Sequence, residues 1–177
     1  TCSTRRDIES WSQRQTFHKH SLGSFAGFVR DIKTAACFII SDPGNKNAVA
    51  FVNRTVNIDM SELYPKFTSL LPSGGKILDV GCGSGRDARY FLSQGFEVVA
   101  IDASEEMVKC ASNLTGQDAV QMKFEDVPFE DEFDGIWACA SLLHVPSDDW
   151  PDVALRCQRA LKPGGVWYLS FKYGDTE

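Results

Sequence analysis

Three glycines at alternate positions, Gly81, Gly83 and Gly85, stand between an apolar run (Ile77, Leu78, Val80) and a segment of helical spacing (Ala88, Phe91, Leu92) that stops at Gly95. The pattern predicts strand, glycine loop, helix. Such a unit is built to bind: glycine lets the backbone turn tightly and lets a ligand approach without a Cβ in the way, and the helix start presents unpaired N–H groups. Acids flank it. Asp79 lies two residues before the first glycine, where it either braces the loop through backbone amides or meets a cationic group of the ligand. Asp102 closes the next apolar run, where it either accepts from ligand hydroxyls or caps the helix starting near Ser104. His144 follows a later apolar run, placed to act as a base or substrate contact, or to bond a neighbouring loop. Arg54 and Arg86 either pair with an anionic group or are solvated surface charges.

Two common glycine loops are excluded. A dinucleotide fingerprint G-x-G-x-x-G needs glycine at position 86, where this chain has Arg86, and a phosphate loop needs Gly-Lys-Ser/Thr, which is absent. What remains is G-x-G-x-G with Asp79 upstream.

These residues need a scaffold, and the rest of the chain supplies its pattern. Residues 1–45 read as an arm. His18-Lys19-His20 is a basic cluster whose two histidines lack a third ligand, so no metal site is expected. Phe25, Phe28, Val29, Ile32, Ala36 and Ile39 fit a helix face, although residues 35–40 equally suit a strand. Ser41-Asp42-Pro43-Gly44-Asn45 has the chemistry of a turn and marks a boundary. Short helices follow around Ala48–Val52 and from an N-cap at Ser61 through Leu71. After the glycine unit, a second strand (Phe96–Ile101), a helix from Ser104, a weaker third strand (Ala119–Lys123) and a fourth (Phe133–Cys139) succeed one another. A helix capped by Ser147-Asp148-Asp149 and a turn at Lys162-Pro163-Gly164-Gly165 lead into a fifth strand, Val166–Phe171. Strands alternating with helices predict an α/β fold with a doubly wound, mainly parallel sheet, binding at the carboxyl ends of its strands.

Length and composition set the bounds. At 177 residues with 43% apolar residues, the chain suits one core. The net charge of −6 gives no general attraction to nucleic acid or an anionic membrane, even though six of the 18 Lys/Arg and three of the 24 Asp/Glu fall in residues 1–33, making that arm mildly basic. Charges at Arg30, Asp31 and Lys33 interrupt the longest candidate for a membrane span. The six scattered cysteines contain no C-x-x-C and read as free thiols of a cytoplasmic protein. Cys82 and Cys139 flank the expected ligand but read as small apolar filler, as Tyr64, Trp137 and Phe171 read as core.

Leu78-Asp79-Val80-Gly81-Cys82-Gly83-Ser84-Gly85, the acid Asp102, Phe124-Glu125-Asp126-Val127 and Leu161-Lys162-Pro163-Gly164-Gly165, in that order over residues 76–171, resemble the class I S-adenosylmethionine-dependent methyltransferases. Arg54-Thr55, residues 83–87 and the run 137–146 are similar to a bacterial branch, the tellurite-resistance and type 11 methyltransferases. The resemblance implies a Rossmann-like sheet of order 3-2-1-4-5 and a domain over residues 46–177. It implies S-adenosylmethionine as cofactor, S-adenosylhomocysteine as product and a small-molecule methyl acceptor. The implied cofactor contacts are Asp79, Gly81, Cys82, Gly83, Gly85, Arg86, Asp102, Ala103, Glu125, Asp126, Val127, Ala140 and Arg54, with Asp126 read either against adenine or as an ordinary loop acid. His144 is the candidate catalytic residue. A carboxylate at 102 also disfavours the 2′-phosphate of a rival NADP.

Class I enzymes carry two more strands after the fifth. Their lack here, and a start at Thr1 rather than methionine, lead us to expect a piece of a longer protein. The fifth strand's edge is then expected to be covered by residues 1–45, by the remainder of a longer chain or by a second copy. A domain that binds the cofactor without turnover is the alternative expectation.

Overall fold

The computed structural model describes Phe28–Val29 and residues 46–170. Among the described residues, six parallel strands form one sheet: β1 (Phe28–Val29), β2 (Lys76–Val80), β3 (Glu97–Asp102), β4 (Val120–Gln121), β5 (Phe133–Cys139) and β6 (Leu161–Ser170), in spatial order β1-β6-β5-β2-β3-β4. Counting from the glycine-loop strand, the five expected strands stand in the order 3-2-1-4-5. Five helices accompany them: α1 (Lys46–Thr55), α2 (Tyr64–Thr68), α3 (Arg86–Ser93), α4 (Glu105–Thr115) and α5 (Trp150–Ala160).

Alternation along the strands decides what each face buries. Leu78, Val80, Ile136 and Ala138 point to the layer containing Val153, Cys157 and Ala160 of α5. Ile77 and Trp137 point to the opposite layer, against Phe91, Phe67, Tyr64 and Tyr168. Trp137 stacks on Tyr168 at 3.8 Å between ring centroids. The central strands β2 and β5 are therefore buried on both faces, as those of parallel sheets are. The chain reverses its winding between β2 and β5, so the crevice at their carboxyl ends is the switch point where such folds take ligands.

Several expected elements move. Phe28 and Val29 form a strand rather than a helix face, pairing in parallel with Tyr168 and Leu169; the ladder groups at the outer edge of β6 offer them hydrogen bonds that helical spacing cannot reveal. The other residues of that expected helix, with His18, His20 and Phe171, lie outside the described residues. The helix expected from Ser61 begins instead at Tyr64, with a turn at Met60–Leu63. Pro65 is the reason, because its missing N–H and fixed φ confine it to a first turn. Asp149 takes the N-cap position of α5 without a side-chain bond. Residues 162–165 form an irregularity within β6: Phe133 pairs with Leu161, but Gly135 already faces Val166.

Gly85 joins the two helices that flank the glycine loop. It sits at φ +82°, and a Cβ there would lie 2.8 Å from the Ala111 Cα of α4. A side chain would meet both left-handed strain and backbone that cannot move aside. Gly85→Ala is expected to cost about 3 kcal/mol from these two effects together, seen as a lower urea midpoint with an unchanged slope.

Candidate functional site

The carboxyl end of β2 turns into the glycine loop under three backbone constraints. The amides of Gly81 and Cys82 both donate to the Ile101 carbonyl, at 2.8 and 2.9 Å, and the Gly83 amide donates to Asp102 Oδ2 at 2.9 Å. Asp102 Oδ1 accepts from the Ser104 amide at 2.9 Å, while Ser104 itself caps α4 by accepting from the Met107 amide at 3.4 Å. Asp102 is thus not the helix cap. It braces the glycine loop against the end of β3 and remains half-buried there.

Gly81 is where three elements converge. A Cβ on it would overlap the Ser141 Cβ and lie 3.4 Å from Phe124 Cζ, so the turns after β5 and β4 close over this point of the loop. The turn after β5 begins at Ala140, held at φ +51° with its amide donating to the buried Ser170 hydroxyl at 2.8 Å. A non-glycine residue in the left-handed region is strained, and such strain gathers at binding edges. His144 ends the short helical turn Leu142–His144 directly after Ala140 and Ser141. Glu125 and Asp126 are exposed on the corresponding turn after β4, with Val127 buried behind them; Ala103 is exposed beside Asp102. Arg54 is exposed in the last turn of α1.

Charge is distributed unevenly here. Asp79 is 2% exposed and its Oδ2 has no hydrogen-bond partner within the protein. Burial raises its pKa well above the usual carboxylate range; Asp87 and Asp102 add to this, and Arg86 opposes it. Arg86 is committed elsewhere. Its Nε and Nη2 donate to Asp87 at 2.6 and 2.9 Å, its Nη1 to the Thr55 carbonyl at 3.2 Å, and Nη2 also faces Cys139 Sγ at 3.8 Å. Burial would lower the Arg86 pKa, but Asp87 more than offsets it and keeps the guanidinium charged. Burial likewise raises Cys82 and pushes Cys139 and Cys157 up to about 12, so these thiols are protonated near neutrality and act as packing groups.

Sequence spacing does not single out Asp87, yet it is the centre of this arrangement. Besides Arg86 it accepts from the Tyr64 hydroxyl at 2.5 Å and the Trp137 indole at 2.9 Å. An acid in the first turn of a helix reads as ordinary dipole compensation. Its adjacency to Arg86 is the one visible signal, while Tyr64 and Trp137 read simply as core.

The donor set suits the implied cofactor. An unpaired buried carboxylate oxygen at Asp79 matches an ammonium, and Asp102 holds a carboxylate where hydroxyls would meet it.

Comparison with known proteins agrees in kind. A family model described as a methyltransferase domain matches residues 78–169. A ubiquinone biosynthesis O-methyltransferase from Xanthomonas axonopodis pv. citri is 36% identical over 109 residues, 57% of this chain and 44% of that protein. The chain spans less than half the length of the curated relatives it matches. A TehB-like SAM-dependent methyltransferase from Corynebacterium glutamicum superposes with a TM-score of 0.61 at 24% identity, over 67% of this chain and 69% of that one. The cyclase SpnF superposes at 0.53 with 28% identity, over 61% and 42% respectively.

Burial of Asp79 predicts a pH signature. The folded protein keeps the Asp79 proton over a range in which an unfolded chain, with the ordinary value of 3.8, has released it. The stability that the proton contributes is therefore full below that value and lost as the pH rises towards the folded-state pKa, by about 1.4 kcal/mol for each pH unit between the two. Asp79→Asn is expected to raise the melting midpoint of the ligand-free protein at pH 7 by about 4 °C. The gain should shrink towards pH 4 in parallel calorimetric scans.

Proposed function

This chain belongs to the methyltransferase-domain family, and from that premise we propose that it binds S-adenosylmethionine at the β2–β3–β5 edge and transfers its methyl group to a small-molecule acceptor. The observation that carries the reading is the buried, unpartnered oxygen of Asp79 beneath a glycine loop whose far side is braced by Asp102.

The bound cofactor supplies a methyl group on a sulfonium, already activated towards displacement. The chain's own residues align and enclose. Asp79 meets the positively charged amino group, giving its unpaired oxygen a partner. The glycine loop turns the chain tightly at the amino-acid end of the ligand, with Arg86 held on Asp87 beside it. Asp102 accepts from the ribose hydroxyls, each such bond contributing about 1.5–3 kcal/mol. Ala103 lines the same edge. Glu125, Asp126 and Val127 flank the adenine, and Arg54 stands at the entrance. Ala140 leads the chain over Gly81, and to His144, which follows it, we assign the role of taking a proton from an acceptor that carries one. Alignment and exclusion of water supply the main rate effect, roughly 7–11 kcal/mol in well-oriented systems.

The curated relatives are named O-methyltransferases, which makes hydroxyl-bearing small molecules the first acceptors to test. Free thiols at Cys82, Cys110, Cys139 and Cys157 support a reducing, cytoplasmic setting, and the Xanthomonas relatives support a bacterial one. Among the described residues, the outer edge of β6 is paired only at Tyr168 and Leu169. We read the rest of that edge as covered by residues 1–45, by the remainder of a longer chain or by a second copy. A second reading, in which the chain binds the cofactor without transferring its methyl group, draws on one observation, that a neighbour of 28% identity on the same fold is named a cyclase.

Calorimetric titration with S-adenosylhomocysteine and with NAD tests the cofactor, and transfer of labelled methyl to hydroxyl, thiol and amine acceptors then divides enzyme from binding module. Asp102→Ala is expected to weaken cofactor binding at least tenfold, about 1.4 kcal/mol; an unchanged constant would confine Asp102 to bracing the loop. His144→Ala should lower turnover with little change in cofactor affinity, and loss of both would mark the histidine as structural.

A further inference from the structure

The Asp87 cluster does more than the cofactor reading asks of it. Asp87 is 6% exposed, and a buried ion pair is a poor way to gain stability compared with apolar packing, so its geometry calls for a positional explanation. Each donor ties a different segment to the first turn of α3. Tyr64 brings α2, and Trp137 brings β5 two residues before Cys139. Both anchors are rigid, since Trp137 is fully buried and stacked on Tyr168, and Tyr64 stacks on Tyr90 at 3.9 Å. The Arg86 fork is therefore held from behind, and its Nη1 is turned towards the Thr55 carbonyl, the last of α1. That carbonyl belongs to the negative pole of α1, so a guanidinium is a suitable partner.

The placement of α1 gives this contact its meaning. Its C-terminus meets α3 at Arg86, and its body packs against α4. Both α3 and α4 begin at the carboxyl edge, one after the glycine loop and the other after Asp102. The helix thus bridges the two sides of the crevice. On its outer side it is exposed at Ala50, Asn53 and Arg54. The Thr55 carbonyl accepts from both Arg86 Nη1 and the Ile58 amide, each at 3.2 Å, and the Arg86 bond to it is longer than either arm of the fork on Asp87.

We propose that Arg86, oriented by Asp87, is a latch that holds α1 across the mouth of the cofactor crevice, and that its release sets how fast cofactor and product exchange. The proposal rests on the S-adenosylmethionine reading for its ligand, but the latch itself exists in the ligand-free protein. Asp87 acts as a positioning residue, working through Arg86. A lysine at 86 keeps the charge but cannot grip both Asp87 oxygens and reach Thr55 at once.

Two measurements on Arg86→Lys test it. Amide hydrogen exchange of the ligand-free protein is expected to quicken about tenfold over residues 50–55, with the amides of β2 and β5 unchanged. Stopped-flow binding of S-adenosylhomocysteine is expected to show association and dissociation both accelerating about tenfold, leaving the dissociation constant within roughly threefold of the original. Unchanged exchange over residues 50–55 would overturn the proposal. So would faster dissociation with unaltered association, which would make Arg86 a direct ligand contact instead. Asp87→Asn should reproduce the same pattern with the guanidinium intact, and if that variant fails to fold, Arg86→Lys decides alone. Should the unaltered protein not bind S-adenosylhomocysteine, the cofactor reading fails while the exchange experiment still judges the latch.

Discussion

Three carboxylates, Asp79, Asp87 and Asp102, interact electrostatically around one guanidinium at the carboxyl edge of the sheet, and the guanidinium of Arg86 is already bound to Asp87. Asp102 satisfies itself on backbone amides. Asp79 is left with a buried oxygen that nothing in the protein answers. Uncompensated charge in a low-dielectric interior is costly, so such a group stays protonated until a cation arrives. Around that deficit stand a glycine-rich loop, a brace from β3 and turns from β4 and β5 that meet at Gly81.

Around Asp87 the buried polar groups are paired. Trp137 points into an apolar layer, yet its indole N–H emerges at the start of α3, where Asp87 accepts it. Tyr64 does the same from α2. Both aromatics thus contribute area to the core and donors to the cluster, so packing and electrostatics cannot be varied independently at these positions. The same residues that stabilise the fold determine where Arg86 points, and therefore where α1 rests.

Much of this is legible in residue order. The β5 boundaries, Phe133–Cys139, match those read from the apolar run, and the glycine unit and the acid ending β3 lie where spacing places them. The sequence resemblance leads to the same family that the methyltransferase-domain match shows. Other elements are illegible for definite reasons. Phe28 and Val29 follow a helical spacing but pair with β6, because ladder hydrogen bonds at a sheet edge outweigh a weak local preference. Ser61 has the chemistry of a cap, and Pro65 four residues later rules it out, a constraint present in the sequence and outweighed there by the apolar spacing.

What the sequence determined by itself was local: which runs become strands, where the backbone must be glycine, and that acids stand at the ends of the first two strands of the core. It carried these because each depends on neighbours within a turn or a strand. Tertiary structure alone decided that Asp102 braces the loop without capping α4, that Asp79 Oδ2 is left without a partner, and that Asp87 gathers Tyr64, Arg86 and Trp137. Tyr64 lies 23 residues from Asp87 and Trp137 50 residues from it. Contacts across such separations are set by how the layers stack, and no periodicity along the chain encodes them.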